Sequence, residues 1–267
     1  MSIKSFEEDI KTAFKGDILG RKVIFVSSTD STNDLAMKLG EESDEPEGII
    51  VVSDSQTAGR GRMGRSWISP SGVNLYFTAL LKPGFPTIEA PLLTLTAAVA
   101  CVSAIRDLTG INAEIKWPND LLVNNRKTGG ILLDMKTYKD NIKFVAVGIG
   151  INVNMDPVIF PEDIKPYSTS LAKECGRTID RVELFKKILS ELEQSYKSLL
   201  SGGKVAMLQQ WRLFSSTLGK NVSVKMYDKV ISGIAEDIDG TGALVIKLPS
   251  GGHEVVNAGD VTVLKKS

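Results

Sequence analysis

The sequence predicts an α+β fold, with helices packed on a mixed β-sheet and a small all-β unit at the C-terminal end. Two observations carry this prediction. Residues 1–217 alternate between helical segments and short runs of β-branched residues, and these two periodicities predict helices and strands respectively. Residues 218–267 contain only short alternating runs with a turn about every 8–12 residues, which is typical of a small barrel. We therefore expect two domains with these boundaries.

The first part of the chain predicts two helices and three strands. Ser5 followed by Glu8 has the spacing of a capping box and predicts a helix to about Phe14. The STND stretch at 31–34 has a similar cap and predicts a second helix to Gly40. Strands are predicted for KVIFVSS at 22–28, EGIIVVSD at 47–54 and NLYFTALL at 74–81.

The middle of the chain predicts a core helix and the rest of the sheet. Residues 88–109 are strongly apolar and end at Gly110, a common helix stop. Interruptions and flanking charges favour a buried helix over a membrane span. Strands are predicted for AEIKWP (113–118) leading into DLLVNN (120–125), for RKTGGILLDMKTY (126–138) and for IKFVAVGIGINVN (142–154), with hairpin turns at Asn124-Asn125 and Lys139-Asp140-Asn141.

The remaining residues predict a loop, two helices and the small barrel. The stretch at 155–167 carries three prolines and predicts a long loop. An amphipathic run predicts a helix from Asp180 to Leu200, and a further helix is expected to end near Phe214. The barrel strands are predicted for NVSVKMYD (221–228), KVISGIAEDID (229–239), GALVIKLP (242–249) and HEVVNAGDVTVL (253–264).

Composition excludes several classes of function. Lys plus Arg and Asp plus Glu both number 32, so no net field favours nucleic acid or a membrane as partner. Cys101 and Cys175 are isolated thiols, which suits a reducing compartment and predicts a cytoplasmic protein. The single histidine, His253, lies in a Gly-rich turn and is interpreted as a surface residue. Zinc sites built from His and Cys, and Ser-His catalysis, are therefore not expected.

The stretch QTAGRGRMGRSW at 56–67 matches two nucleotide-binding motifs only by accident. Gly59 to Gly64 spells G-x-G-x-x-G, and Gly59 to Ser66 is close to a P-loop. Both motifs require a helix at the last glycine, and the residues after Gly64 do not predict one. The stretch is instead a flexible loop whose guanidinium groups suit carboxylate or phosphate. A solvated basic loop, or one that binds RNA phosphates, remains an alternative.

Three other stretches add candidate site residues. KWPND at 116–120 places Asn119 and Asp120 at an irregular point between two strands, since proline is confined to strand edges and starts. RKTGG at 126–130 begins the next strand with two cations. Gly148 and Gly150 lie inside a β-branched strand, where glycine commonly marks a bulge or a closely bound ligand. Tight packing between a strand and a helix is the alternative for each glycine.

Together these stretches resemble the biotin–protein ligases. The matching stretches are STN at 31–33, GRGRMGRSW at 59–67, KWPND at 116–120, RKTGGIL at 126–132 and GIGIN at 148–152. The resemblance covers essentially the whole chain and implies a catalytic domain like that of class II aminoacyl-tRNA synthetases, followed by an SH3-like barrel. About 20 residues precede the first core strand, which suggests the monofunctional form without an N-terminal DNA-binding domain.

The resemblance implies a reaction in two steps. Biotin and ATP would form biotinyl-5′-adenylate and pyrophosphate, and biotin would then pass to one lysine of a biotin carboxyl carrier domain. Mg²⁺ is expected with the triphosphate, without assigned protein ligands, and a homodimer is a further expectation. The related lipoate-attaching enzymes are one alternative, although they generally lack the GRGRxGRxW loop. A non-catalytic module that binds adenylate or RNA through the arginines is another.

The resemblance also assigns roles to individual residues. Lys127 would bridge the biotin carboxylate and the α-phosphate, Arg62 would contact the phosphates, and Asp120 would position or deprotonate the acceptor lysine; these three are the expected catalytic residues. Biotin binding is expected from Ser31, Thr32, Asn33, Gln56, Arg60, Gly61, Arg62, Lys127, Gly130, Gly148 and Gly150. ATP binding is expected from Arg62, Arg65, Trp67, Asn119, Asp120, Lys127 and Asn152. The loop at 56–67 is expected to close over the adenylate, because a mixed anhydride hydrolyses in water, and the 155–167 loop to order over the nucleotide.

Overall fold

Two β-sheets organise the chain, which a computed structural model describes at residues 3–226 and 229–264. The larger sheet contains β1 (Lys22–Thr29), β2 (Ile49–Gln56), β3 (Leu75–Leu81), β4 (Ala113–Lys116), β5 (Asp120–Val123), β6 (Arg126–Tyr138) and β7 (Asn141–Ile151). The smaller sheet contains β8 (Asn221–Lys225), β9 (Val230–Ile238), β10 (Leu244–Lys247), β11 (His253–Val256) and β12 (Asp260–Val263). The helices are α1 (Ile3–Ala13), α2 (Thr32–Glu42), α3 (Pro91–Thr109), α4 (Leu171–Cys175), α5 (Arg181–Leu200) and α6 (Lys204–Phe214).

The strand order confirms a mixed sheet with helices, followed by an all-β unit. The larger sheet has the order β1-β2-β3-β7-β6-β5-β4, and the smaller has the order β11-β10-β9-β8-β12. β1 and β2 are parallel, whereas every other pair in the two sheets is antiparallel. The antiparallel pairs explain why short turns connect most neighbours.

Strand β2, within the larger sheet, is buried on both faces over most of its length, as its continuous apolar run predicts. Ile50 and Val52 belong to the main core, which includes α3 and α5. Ile49 and Val51 point the other way, into a smaller core formed with Ala36 of α2. The alternation follows from the two-residue period of a strand, so β2 is held between two helical layers.

The two predicted capping boxes differ in outcome. Ser31 is the N-cap of α2, and its side chain accepts from the Asp34 backbone N–H. The expectation for Ser5 is wrong, because α1 already begins at Ile3 and Ser5 lies within the helix, where its hydroxyl donates to Asp9 at 3.4 Å. An i,i+4 side-chain bond has replaced the cap, and a capping pattern alone does not distinguish the two arrangements.

Helix α3 is a core helix, as expected. Thr87–Thr109 is long and apolar enough to cross a membrane by length and composition, but 72% of its apolar window is buried inside the fold. Gly110 ends α3 in the left-handed region with φ 73°. Packing against α5 and the sheet therefore accounts for its apolar surface.

The KWPND stretch forms a tight reversal between two strands. AEIKWP and DLLVNN are separate antiparallel strands, with Lys116 directly opposite Asp120, rather than one leading into the other. The Trp117–Pro118 bond between them is cis. Asn124 and Asn125 have φ values of 50° and 60°, so the predicted turn before β6 is present. The reversal brings Asn119 and Asp120 to one end of the sheet.

The C-terminal part differs from prediction in two places. HEVVNAGDVTVL forms two strands, β11 and β12, which lie at opposite edges of the smaller sheet. NVSVKMYD continues as a strand only to Lys225, and its last two positions lie outside the described residues. Helix α4, capped by Ser170, is an element that the sequence pattern did not predict. The 155–167 loop contains two short 3₁₀ turns, Pro157–Ile159 and Lys165–Tyr167.

Candidate active site

One cavity of about 1070 Å³ lies between the end of the larger sheet and strand β12. β12 contributes Asp260 to Val263 to its wall. The structure places every predicted site residue on this wall. These residues are Ser31, Thr32, Asn33, Gln56, Arg60, Gly61, Arg62, Arg65, Trp67, Asn119, Asp120, Lys127, Gly130, Gly148, Gly150 and Asn152.

The glycine–arginine loop (residues 56–67) folds back on itself over the cavity. Arg60 and Ser66 form an antiparallel bridge, and only Arg62–Gly64 forms a single 3₁₀ turn. Met63 and Gly64 at its tip have φ values of 55° and 72°. No helix follows Gly64, which agrees with the rejection of both nucleotide-binding motifs.

Each arginine of the loop contacts a different element. Arg60 Nη2 lies 2.6 Å from a carboxylate oxygen of Asp34 and 2.6 Å from one of Asp134. Arg62 Nη1 donates to Asn119 Oδ1 at 3.2 Å and to the Gly259 carbonyl at 3.4 Å. Arg65 pairs with Asp260. The arginines thus connect the loop to α2, to β6 and to the smaller sheet.

At one end of the cavity, neutral polar groups are bonded to one another. Gln56 Oε1 accepts from the backbone N–H of Thr32 at 2.8 Å and from its hydroxyl at 3.2 Å. Gln56 Nε2 donates to Ser69 Oγ at 2.9 Å. Thr78 Oγ1, inside β3, lies 2.9 Å from Thr32 Oγ1. These bonds fix the orientation of the Gln56 amide, because its donor and acceptor sides each have a partner.

Asn33 is held by the same group of bonds. Its Nδ2 donates to the Leu132 carbonyl at 3.1 Å and to Asp134 at 2.8 Å, and its Oδ1 accepts from Thr78 at 2.7 Å. The side chain is therefore committed to protein partners on both sides. Its geometry suits the support of neighbouring residues more than direct contact with a ligand.

The two glycines inside β7 make room for protein side chains. A Cβ at Gly148 would lie 2.0 Å from Asn33 Oδ1, and one at Gly150 would lie 2.6 Å from Trp67 Nε1. The alternative of packing between a strand and a helix therefore applies at Gly148, which faces α2, whereas Gly150 makes room for an indole ring of the 56–67 loop. The Trp67 indole nitrogen is buried and has no hydrogen-bond partner within the part of the chain that the structure describes.

At the other end of the cavity lies a charged pair. Lys127 Nζ is 2.5 Å from Asp120 Oδ1, and the two side chains are 32% and 23% exposed. Lys127 also lies over the Trp67 ring, with Nζ 5.4 Å from its centroid. Both charges thus border the cavity while remaining partly in contact with solvent, which permits exchange of partners.

The amides of Asn119 and Asn152 are anchored in the wall. Asn119 Nδ2 donates to the Ile131 carbonyl at 2.8 Å, and Asn152 Nδ2 donates to the Thr169 carbonyl at 3.1 Å. Beyond Asn152 the wall continues into the 155–167 loop through Phe160, Ile164 and Tyr167. An apolar loop beside an anchored amide suits a planar, partly polar ligand.

The comparisons with known proteins agree with this geometry. Residues 25–153 match the Biotin/lipoate A/B protein ligase family, and residues 217–264 match the Biotin protein ligase C terminal domain. The chain is 36% identical over 255 residues to the Bifunctional ligase/repressor BirA of Bacillus subtilis, and the alignment covers 96% of this chain and 78% of that protein. The chain belongs to the biotin protein ligase family.

Two further comparisons support this assignment. The Biotin–[acetyl-CoA-carboxylase] ligase of Paracoccus denitrificans is 32% identical, with 88% of this chain and 98% of that protein covered. The solved biotin protein ligase of Aquifex aeolicus in complex with biotin and ATP is 28% identical with a TM-score of 0.74, covering 92% of this chain and 100% of that chain. The prediction of a biotin–protein ligase is thereby confirmed.

Several wall residues of this ligase were not among the predicted site residues, and Lys116 is one of them. Lys116 lines the cavity directly opposite Asp120 on the neighbouring strand. Burial lowers the pKa of Lys116, Asp120 opposes this shift, and Lys127 and Arg65 add to it. The sequence offered one signal for Lys116, namely its position at the start of KWPND, four residues before Asp120. A tight reversal within this stretch makes the two residues antiparallel partners, and such partners project from the same face of a sheet.

Proposed function

We propose that this ligase activates biotin with ATP and transfers it to a lysine of a biotin carboxyl carrier domain. The observation that carries the proposal is the division of a single cavity into a neutral polar end and a cationic end. Biotin has an uncharged fused ring and a carboxylate, whereas ATP brings a polyphosphate. One cavity with both kinds of wall suits the joining of these two molecules.

The ring of biotin would bind at the neutral end. Ser31, Thr32 and Gln56 supply hydroxyl and amide groups there, and Gln56 is already oriented by its partners. Oriented neutral groups suit a ureido group, which carries both donors and an acceptor. We propose that Asn33, Gly148 and Gly150 act by shaping this end, because their space is filled by protein atoms.

The cations would act in the first step. A carboxylate oxygen of biotin attacks the α-phosphorus of ATP, the bond from that phosphorus to the β-phosphate bridging oxygen breaks, and pyrophosphate leaves. Both reactants are anions, so nearby cations lower the barrier by offsetting their repulsion. Arg62, Arg65 and Lys127 line the cavity and would take this role, with Lys127 bridging the carboxylate and the α-phosphate.

Asp120 would act in the second step. The neutral amine of the acceptor lysine attacks the biotinyl carbonyl, AMP leaves, and the amine loses a proton. Asp120 lies on the cavity wall and its carboxylate pairs with Lys127. It would either accept that proton or hold the amine in place, and both roles require a carboxylate facing the cavity.

A magnesium ion is proposed to arrive with the triphosphate. Among residues 3–226 and 229–264, no three His, Cys, Asp or Glu side chains are grouped as a metal site. Asp120 and Asp260 are the carboxylates of the cavity wall. The Asp120 carboxylate fits Mg²⁺, which commonly takes one or two carboxylates together with substrate phosphates. When bound, the ion would neutralise phosphate charge.

Finer points of the fold and the cellular setting belong to the same proposal. The division at 217/218 is supported by the two separate sheets, whereas the class II aminoacyl-tRNA synthetase likeness of the first part and the SH3-like closure of the second rest on the family. A cytoplasmic location is supported by two unpaired cysteines. Homodimer formation and the carrier domain as partner rest on the family.

The test is biotin-dependent exchange of labelled pyrophosphate into ATP, using purified protein and Mg²⁺. We expect exchange with biotin and none with lipoate, which separates the biotin enzyme from its lipoate-attaching relatives. Absence of exchange with either acid would sink the proposal and favour a non-catalytic module that binds nucleotide through its arginines. Incubation with a carrier domain, read by intact mass, then tests transfer.

A further inference from the structure

Glu174 of α4 lies at the centre of a hydrogen-bond cluster behind the cavity wall. Its side chain is 4% exposed. Glu174 Oε1 accepts from Arg126 Nη2 at 2.6 Å and from the Thr169 hydroxyl, and Oε2 accepts from Asn124 Nδ2 at 2.7 Å. Both carboxylate oxygens therefore have protein partners, so this group is part of the scaffold and not a substrate ligand.

Thr169 connects this carboxylate to two residues of the cavity wall. Thr169 is fully buried. Its backbone N–H donates to the Lys127 carbonyl at 2.9 Å, and its own carbonyl accepts from Asn152 Nδ2 at 3.1 Å. With its hydroxyl held by Glu174, Thr169 has little freedom to shift. The position of its carbonyl, and with it the Asn152 amide, depends on Glu174.

The main chain of Asn152 is fixed independently. Its N–H donates to the Thr128 carbonyl at 2.7 Å, and its carbonyl accepts from the Leu171 N–H at 2.9 Å. The remaining freedom is rotation of the side-chain amide. A half-turn exchanges the acceptor side of an amide for its donor side, and the bond to Thr169 prevents this exchange.

We propose that Glu174 is a positioning residue that sets the base selectivity of the nucleotide subsite through Thr169 and Asn152. The inference rests on the proposed use of ATP. The base of ATP carries a 6-amino donor, whereas the bases of ITP and GTP carry a 6-carbonyl acceptor. With Nδ2 held by Thr169, Asn152 presents Oδ1 to an amino group. A released amide can turn and accommodate a carbonyl instead.

The experiment compares kcat/KM for ATP and for ITP in biotin-dependent pyrophosphate exchange. We expect the ATP-to-ITP ratio to fall by about tenfold in Glu174→Ala and about threefold in Thr169→Val. A binding site rejects a ligand with the wrong polar group strongly only while the hydrogen-bonding groups of the site are held in place. Thr169→Val keeps the side-chain shape and main-chain bonds, so it tests the inference if Glu174→Ala does not fold.

Glu41→Gln is the matched control. Glu41 pairs on the surface with Lys136 at 2.5 Å, and Lys136 belongs to β6, the strand that also contains Arg126. Loss of this pair should leave the ATP-to-ITP ratio unchanged. A parallel fall for both nucleotides, with a constant ratio, would show that Glu174 only supports folding and would overturn the inference. An unaltered ratio and rate would also overturn it. Lack of exchange in the unmutated enzyme would instead refute the proposed function.

Discussion

The two ends of the cavity are built differently. At the neutral end, Thr32, Asn33 and Gln56 are bonded to neighbours within the larger sheet and α2, and Thr32 and Asn33 are almost fully buried. At the cationic end, Arg65 and Lys127 pair with Asp260 and Asp120, and their side chains are 60% and 32% exposed. One end is held mainly by buried bonds of neutral side chains, one of them to the Asp134 carboxylate, and the other by partly exposed ion pairs.

This difference separates a preorganised binding surface from one that must exchange partners. Buried neutral bonds are costly to break, because each leaves an unsatisfied group. Exposed ion pairs contribute little and are readily replaced by another anion. We therefore expect the neutral end to be preorganised, and we expect the proposed phosphate binding at the other end to require the cations to leave protein carboxylates. Substitutions at each end test this contrast.

Replacing Lys127 should have the largest effect. We expect Lys127→Ala to retain its fold and to lower the rate of adenylate formation by about 100-fold or more, because a charge that stabilises the transition state is lost. The measurements are pyrophosphate exchange and circular dichroism. Lys136→Ala, which removes an exposed lysine from the same strand, should have near-normal activity. Near-normal exchange in Lys127→Ala would remove this residue from the catalytic site.

A methyl group at Gly148 should disturb the neutral end. The new Cβ would lie 2.0 Å from Asn33 Oδ1, so Gly148→Ala should lower the free energy of unfolding by about 1–3 kcal/mol and weaken biotin binding by about tenfold. Denaturant unfolding and calorimetric titration with biotin measure the two effects. Gly240→Ala is the control, since nothing lies within 4 Å of its Cβ position. Unchanged biotin affinity would show that the neutral end rearranges around the new methyl group, which would contradict its description as preorganised.

Removing the Asp260 charge should have a smaller effect, confined to the cationic end. Asp260 competes with phosphate for Arg65, so Asp260→Asn should lower the KM for ATP by about threefold, in the range of an exposed ion pair. Added salt should reduce the difference. Asp237→Asn, which removes a pair with Arg212 elsewhere in the smaller sheet, serves as control. A higher KM would mean that Asp260 aids ATP binding instead.

Lys116 should show the smallest effect, on stability. Because burial lowers its pKa, folding disfavours the charged form, and this penalty is present at pH 7 and fades as the pH rises through the folded pKa. Lys116→Met should therefore unfold about 2 °C higher at pH 7. The advantage should shrink as the pH approaches 10.5, the ordinary value for lysine. A lower midpoint at pH 7 would show that the attraction to Asp120 outweighs burial.

Local patterns predicted much of the fold, and the family resemblance supplied many of the residues that line the cavity. The β-branched run of β2, the cap at Ser31 and the stop at Gly110 depend on neighbours within a few residues, so the sequence is sufficient for them. The same holds for the missing helix after Gly64, which excluded two nucleotide-binding motifs. Ser5 shows the limit of local patterns. Its hydroxyl could form either an N-cap bond or a bond to Asp9, and the sequence pattern does not indicate which of the two forms.

Contacts between distant residues depend on packing, which the local pattern does not specify. Arg65 meets Asp260 because β12 lies at the edge of the smaller sheet nearest the cavity, after the chain has crossed that sheet. Likewise, Glu174 reaches Asn124 and Arg126 only once α4 has packed against that part of the larger sheet. The sequence therefore specified many of the residue types that line the cavity. The packed fold specified which of them are held by buried bonds and which remain exchangeable, because burial and partner choice are properties of the whole assembly of elements.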